Sequence, residues 1–118
     1  MAVGVLDHIY YWTADMDVAV DFYGDVVGLV LVRREGSAWA EFDAGPIRFA
    51  LHGGAADVVP TGGTAVFEVD DLDSARLRLG ERGVVFDQED GEVPGLARFA
   101  SFRDPDGNVL QIIEYLRS

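Results

Sequence analysis

Among 118 residues, 21 are acidic and nine basic, giving a net charge of −12, a field that repels nucleic-acid phosphates and anionic lipid surfaces. The chain has no cysteine, which excludes a disulfide framework and a thiolate zinc site. An apolar share of 49% and a charged share of 25% are those of one soluble domain over residues 1–118, and Met1–Gly4 carries neither a basic leader nor a long apolar run, so the expected location is cytoplasmic with no membrane span.

Val5–Trp12 is predicted as the first strand. Its alternation sets Leu6, His8, Tyr10 and Trp12 on one face and Val5, Asp7, Ile9 and Tyr11 on the other. Asp15 stands where a helix N-cap belongs, and Ala19, Phe22, Tyr23 and Val26 follow at the spacing of a buried stripe, with Gly28 as the stop. Leu29–Arg34, Ala38–Asp43 and Ile47–His52 read as strands joined by turns. Residues 53–63 are rich in Gly and small residues and read as a linker. Thr64–Val69 is the next strand, after which Asp71 caps a helix with the stripe Leu72, Ala75 and Leu79. Val84–Phe86 reads as a strand and residues 88–95 as a polar loop. Phe99–Tyr115 closes the chain as a hairpin around Asp104-Pro105-Asp106-Gly107, where Pro presets φ and Gly frees the backbone.

The order βαβββ occurs twice, as module one at about 4–52 and module two at about 64–116. Asp15-Met16-Asp17 matches Asp71-Leu72-Asp73 at an offset of 56 residues, and at that offset Ala19 falls on Ala75 and Gly24 on Gly80. Each half alone would leave a sheet face wet, so the repeat predicts an α+β chain of two tandem modules.

Several side chains on the predicted strands can do chemistry. His8 shares its face with Tyr10 and Trp12, and an imidazole there suits a metal ligand or a general acid/base. Glu68 is a second acid/base candidate. Tyr10, Trp12, Phe42, Phe99 and Tyr115 are expected to line a pocket for a planar or cationic ligand, with Arg48 and His52 beside them. Arg98 is another cation placed to meet a carboxylate, whereas Glu114 falls off the Ile113 face and reads as solvated. No phosphate loop, nucleophile elbow or Cys/His pair is present, so nucleophilic catalysis is not expected.

The two modules, Asp7-His8-Ile9 in the opening strand, Asp21-Phe22-Tyr23 with Gly28-Leu29, and above all Phe102 to Asn108 resemble the vicinal oxygen chelate superfamily. That is the glyoxalase, bleomycin-resistance and dioxygenase group, and the resemblance spans the whole chain. It implies a cupped mixed sheet whose concave face takes a small molecule, and a homodimer. It also implies metal positions on the first and last strands of each module, here His8, Ala50, Thr64 and Gln111. Ala50 cannot ligate, Thr64 rarely does, and Gln111 stands where the enzymes usually carry Glu. His52 and Glu68, one pleat away, are the substitute ligands. The expected cofactor is therefore none, with a divalent Zn, Ni, Mn or Fe ion as the alternative. The expected function is small-molecule binding of the antibiotic-resistance or sequestration type. The alternatives are a metal-dependent glyoxalase-, epimerase- or dioxygenase-like enzyme, or a metal-free isomerase or lyase.

Overall fold

A computed structural model describes residues 6–54, 62–87 and 91–116. The chain divides into two compact units, residues 1–61 and 62–118. Each runs strand, helix and three strands, so the fold is the expected α+β tandem of βαβββ. In the first unit β1 (His8–Thr13), β2 (Val30–Glu35), β3 (Trp39–Asp43) and β4 (Arg48–Gly53) form a sheet in the order β1-β4-β3-β2. In the second, β5 (Thr64–Glu68), β6 (Gly91–Val93), β7 (Ala97–Arg103) and β8 (Val109–Tyr115) are ordered β5-β8-β7-β6. The first and last strands of each unit pair in parallel and the hairpin strands antiparallel, as a crossover helix and short turns respectively require. Among the described residues no helix is long and apolar enough to cross a membrane.

Both helices start where their caps dictate. Asp15 accepts the Val18 N–H at 3.2 Å to open α1 (Met16–Asp21), and Asp71 accepts the Ser74 N–H at 3.1 Å to open α2 (Leu72–Glu81). Beyond Asp21 the first helix does not continue as expected. It widens into a π-helical segment, Phe22–Val27, that ends on left-handed Gly28 at φ 94°. Tyr23 lies fully buried in that segment, its ring 4.7 Å from Phe49.

Alternation then decides which face of each sheet is dry. Tyr11, Ala40, Phe42, Phe49 and Leu51 face Met16, Ala19 and Tyr23 in the first unit; Ala65, Ala100, Phe102, Leu110 and Ile112 face Leu72, Ala75 and Leu79 in the second. Burying sets of this kind contributes about 1.5–3 kcal/mol per large side chain before chain entropy is charged against it. The opposite faces stay open, as antiparallel-rich sheets permit.

Three expectations for the second unit need correction. Val84–Phe86 is not a strand; Phe86 instead packs on Phe102 at 5.5 Å and lies beneath the Arg76 guanidinium at 5.0 Å. The edge strand is Gly91–Val93, inside the stretch read as polar loop. Gly91 is admissible there because the Phe99 ring occupies the space a β-carbon would need. Glu114 is not simply solvated either: it is half-buried and accepts the Leu72 N–H at 2.7 Å, capping α2 from the neighbouring sheet.

The closing turn is held from within. The buried Asp104 carboxylate accepts from the backbone of Asp106 and Asn108 at 2.9 and 2.8 Å and from the Asn108 amide at 2.9 Å. Gly107 sits at φ 88°, a conformation that favours glycine.

Candidate functional site

The strand register of the first unit lays its open face out in three rows. Trp12 is beside His52 and His52 beside Trp39; Tyr10 is beside Ala50 and Ala50 beside Glu41; His8 is beside Arg48 and Arg48 beside Asp43. From β2, Glu35 joins the Trp39 row and Arg33 the Glu41 row. Period-two alternation carries all of these away from the core.

Five rings converge on this face. Trp39 is 5.6 Å from His8, 5.8 Å from Tyr10 and 5.8 Å from His52, while Trp12 is 4.1 Å from His52. Ala50, at the centre, is shielded to 0% exposure among these larger neighbours. Three of these rings border a depression of about 440 Å³ lined by His8, Arg33, Glu35, Ala38, Trp39, Glu41 and His52, a size that suits a small organic ligand.

Hydrogen bonds fix the polar groups. Nδ1 of His52 lies 2.9 Å from the Gly53 carbonyl, and Nδ1 of His8 lies 2.8 Å from Asp7 Oδ2. Both partners only accept, so each Nδ1 donates. Glu41 Oε1 accepts from the Trp39 indole N–H at 2.9 Å and from Arg33 Nη1 at 3.1 Å. Arg33 also pairs through Nη2 with Glu35. Arg48 lies 3.8 Å from Asp43.

The structure thus brings His8, Tyr10, Trp12, Arg48 and His52 onto one face. Phe42 does not belong with them: it is 0% exposed on the opposite face, 6.1 Å from Tyr23 and 6.5 Å from Phe49. The remaining candidates lie in the second unit. Phe99 covers Gly91, Tyr115 ends β8 with 45% exposure, and Gln111 Nε2 donates to Ser101 Oγ at 3.2 Å. Glu68 borders a separate, polar depression of about 450 Å³ with Asp70, Asp71 and Arg78 at the start of α2. Arg98 pairs with Asp73 at 3.1 Å.

The sequence reading overlooked Trp39, Glu41, Arg33 and Glu35. Within Trp39–Asp43 the available signal was the apolar pair Ala40 and Phe42, which marks the dry face and so assigns Trp39 and Glu41 to the open one.

The donor set does not fit a standard divalent site. Ala50 offers a methyl, Gln111 an amide already donating to Ser101, and among the described residues no group of three or more His, Asp or Glu side chains is placed to hold a metal ion.

Comparison with known proteins bears on this face. The family model described as Glyoxalase/Bleomycin resistance protein/Dioxygenase superfamily matches residues 5–112. TnmS3, an antibiotic binding protein from Streptomyces sp. CB03234, is 27% identical with a TM-score of 0.75, over 98% of this chain and 99% of that one. A protein from the mobile metagenome of V. Pseudocholerae is 29% identical with a TM-score of 0.77, over 99% of this chain and 98% of that one. Lactoylglutathione lyase from Agrobacterium tumefaciens shares the fold at 23% identity and a TM-score of 0.79, over 95% of this chain and 94% of that one. Among curated proteins nothing matches.

Proposed function

The chain belongs to the glyoxalase/bleomycin resistance protein/dioxygenase superfamily, and on that premise we propose that it is a small-molecule-binding protein of the sequestration type, working without the superfamily's standard metal site. The observation that carries the reading is the ring-lined basin on the open face of the first sheet, where Trp39, His8 and His52 border about 440 Å³. Rings fixed on strands offer stacking surface at low entropic cost, which favours planar ligands. Ala50 and Gln111 at two expected ligand positions support a metal-free role, and the likeness to an antibiotic binding protein supports the class of function. A homodimer in the cytoplasm is part of the same proposal.

Metal content and binding test it together. Protein purified without an affinity tag is expected to carry well under one equivalent of Zn, Ni, Mn or Fe. It is also expected to gain thermal stability from planar aromatic ligands, a gain lost in Trp39→Ala. Near-stoichiometric metal that disappears in His8→Ala would overturn the reading.

A second reading rests on one contact. The Asp7 carboxylate on His8 Nδ1 is the arrangement that orients an imidazole as an acid/base, so a metal-free isomerase or lyase using His8 is the alternative. Turnover abolished by His8→Gln with ligand affinity retained would favour it over sequestration.

A further inference from the structure

We propose that the ligand of this basin is a flat aromatic cation and that Glu41 is the residue that selects its charge. The inference rests on reading the basin as the ligand site, and it adds the chemical class of what enters.

Three observations lead there. The Glu41 side chain is only 24% exposed yet stands in the middle row of the open face. Its two partners among the described residues, Trp39 Nε1 and Arg33 Nη1, both sit on Oε1, so Oε2 is left as the acceptor for a ligand. A carboxylate takes up to four hydrogen bonds, so a second strong donor is the natural complement.

The charge count of the lining points the same way. Arg33 is shared between Glu35 and Glu41, so these three side chains together carry one net negative charge. Beside the lining, Arg48 is offset by Asp43. The rings contribute as well, because their faces are negative and attract a cation within about 6 Å of the centroid. An anionic ligand would have to draw Arg33 from two carboxylates while lying on π-faces. A neutral one would cover Glu41 without neutralising it, which costs free energy. A protonated amine or quaternary nitrogen on a flat ring system satisfies the carboxylate and the rings together.

The test uses three acridines of one shape and different charge: 9-aminoacridine (cationic), acridone (neutral) and acridine-9-carboxylate (anionic). Calorimetric titration at neutral pH is expected to rank them cation, neutral, anion, with the cation at least about tenfold tighter than the anion. Glu41→Gln is expected to erase the ranking, weakening 9-aminoacridine and tightening acridone because no charge is then covered, while circular dichroism reports that the variant is folded. Arg33→Gln, which frees both carboxylates from their internal counter-ion, is expected to tighten 9-aminoacridine several-fold. If the three bind equally, or the ranking survives in Glu41→Gln, the charge inference fails and the basin reading stands. If none binds saturably, the basin reading fails and takes the inference with it. Should Glu41→Gln not fold, Arg33→Gln decides, and unchanged or weaker cation binding overturns the proposal.

Discussion

Replacing Phe42 and Trp39 by alanine, one at a time, separates the two faces of β3. Phe42 is fully buried against Tyr23 and Phe49, so Phe42→Ala opens a cavity in the core and is expected to cost about 3–5 kcal/mol. At about 4 °C per kcal/mol for a chain of this size, the midpoint of thermal unfolding falls by roughly 12–20 °C. Trp39 is half-buried on the open face, where its ring meets His8, Tyr10 and His52 and its N–H meets Glu41. Trp39→Ala removes part of one ring's burial and one part-buried hydrogen bond to Glu41, so about 1 kcal/mol and a shift near 4 °C are expected. Its effect belongs in ligand binding instead. Thermal and urea unfolding of both variants, followed by circular dichroism, give the comparison. Equal losses, or a larger loss for Trp39→Ala, would refute the assignment of faces on which the basin depends.

Other outcomes follow from the same contacts. Glu114→Ala removes the cap on Leu72 N–H and is expected to cost about 1–2 kcal/mol, read as a lower urea midpoint with unchanged slope. Asp104→Ala leaves three donors of the closing turn without their acceptor; a loss of at least about 2 kcal/mol is expected, and a neutral result would show the turn holding without its carboxylate. Gly91→Val drives a side chain into the Phe99 ring and should release β6, seen as fast amide exchange confined to residues paired with it. Sedimentation at micromolar concentration is expected to show a homodimer, and a monomer would count against the proposed assembly.

The parts of the fold written in local chemistry were legible. Asp15 and Asp71 cap their helices, and the Asp104–Gly107 turn forms where Pro and Gly permit it. The open face of β1 was legible from alternation alone. On the short strand β3 the apolar pair Ala40 and Phe42 already marks the dry face, and pairing of Phe42 with Phe49 and of Trp39 with His52 completes the assignment. Other features depend on partners distant in sequence. Gly91 reads as a loop residue until the Phe99 ring is placed over it, and Glu114 reads as solvated until α2 presents an orphan N–H. Val84–Phe86 has strand propensity, but packing of Phe86 beneath Arg76 and against Phe102 overrides it. Glu41 was overlooked because its significance lies in two hydrogen bonds on one oxygen, which spacing does not encode.

The chain has two tryptophans; Trp39 lines the basin and Trp12 packs on His52 beside it, so the indole N–H signals in a ¹⁵N correlation spectrum report on this face directly. Titration with 9-aminoacridine is expected to move the Trp39 and Trp12 signals along saturable curves with the calorimetric affinity, the Trp39 signal further because its N–H is held by Glu41. Saturable binding that leaves both indole signals still would contradict the assignment of the first sheet's open face as the ligand site.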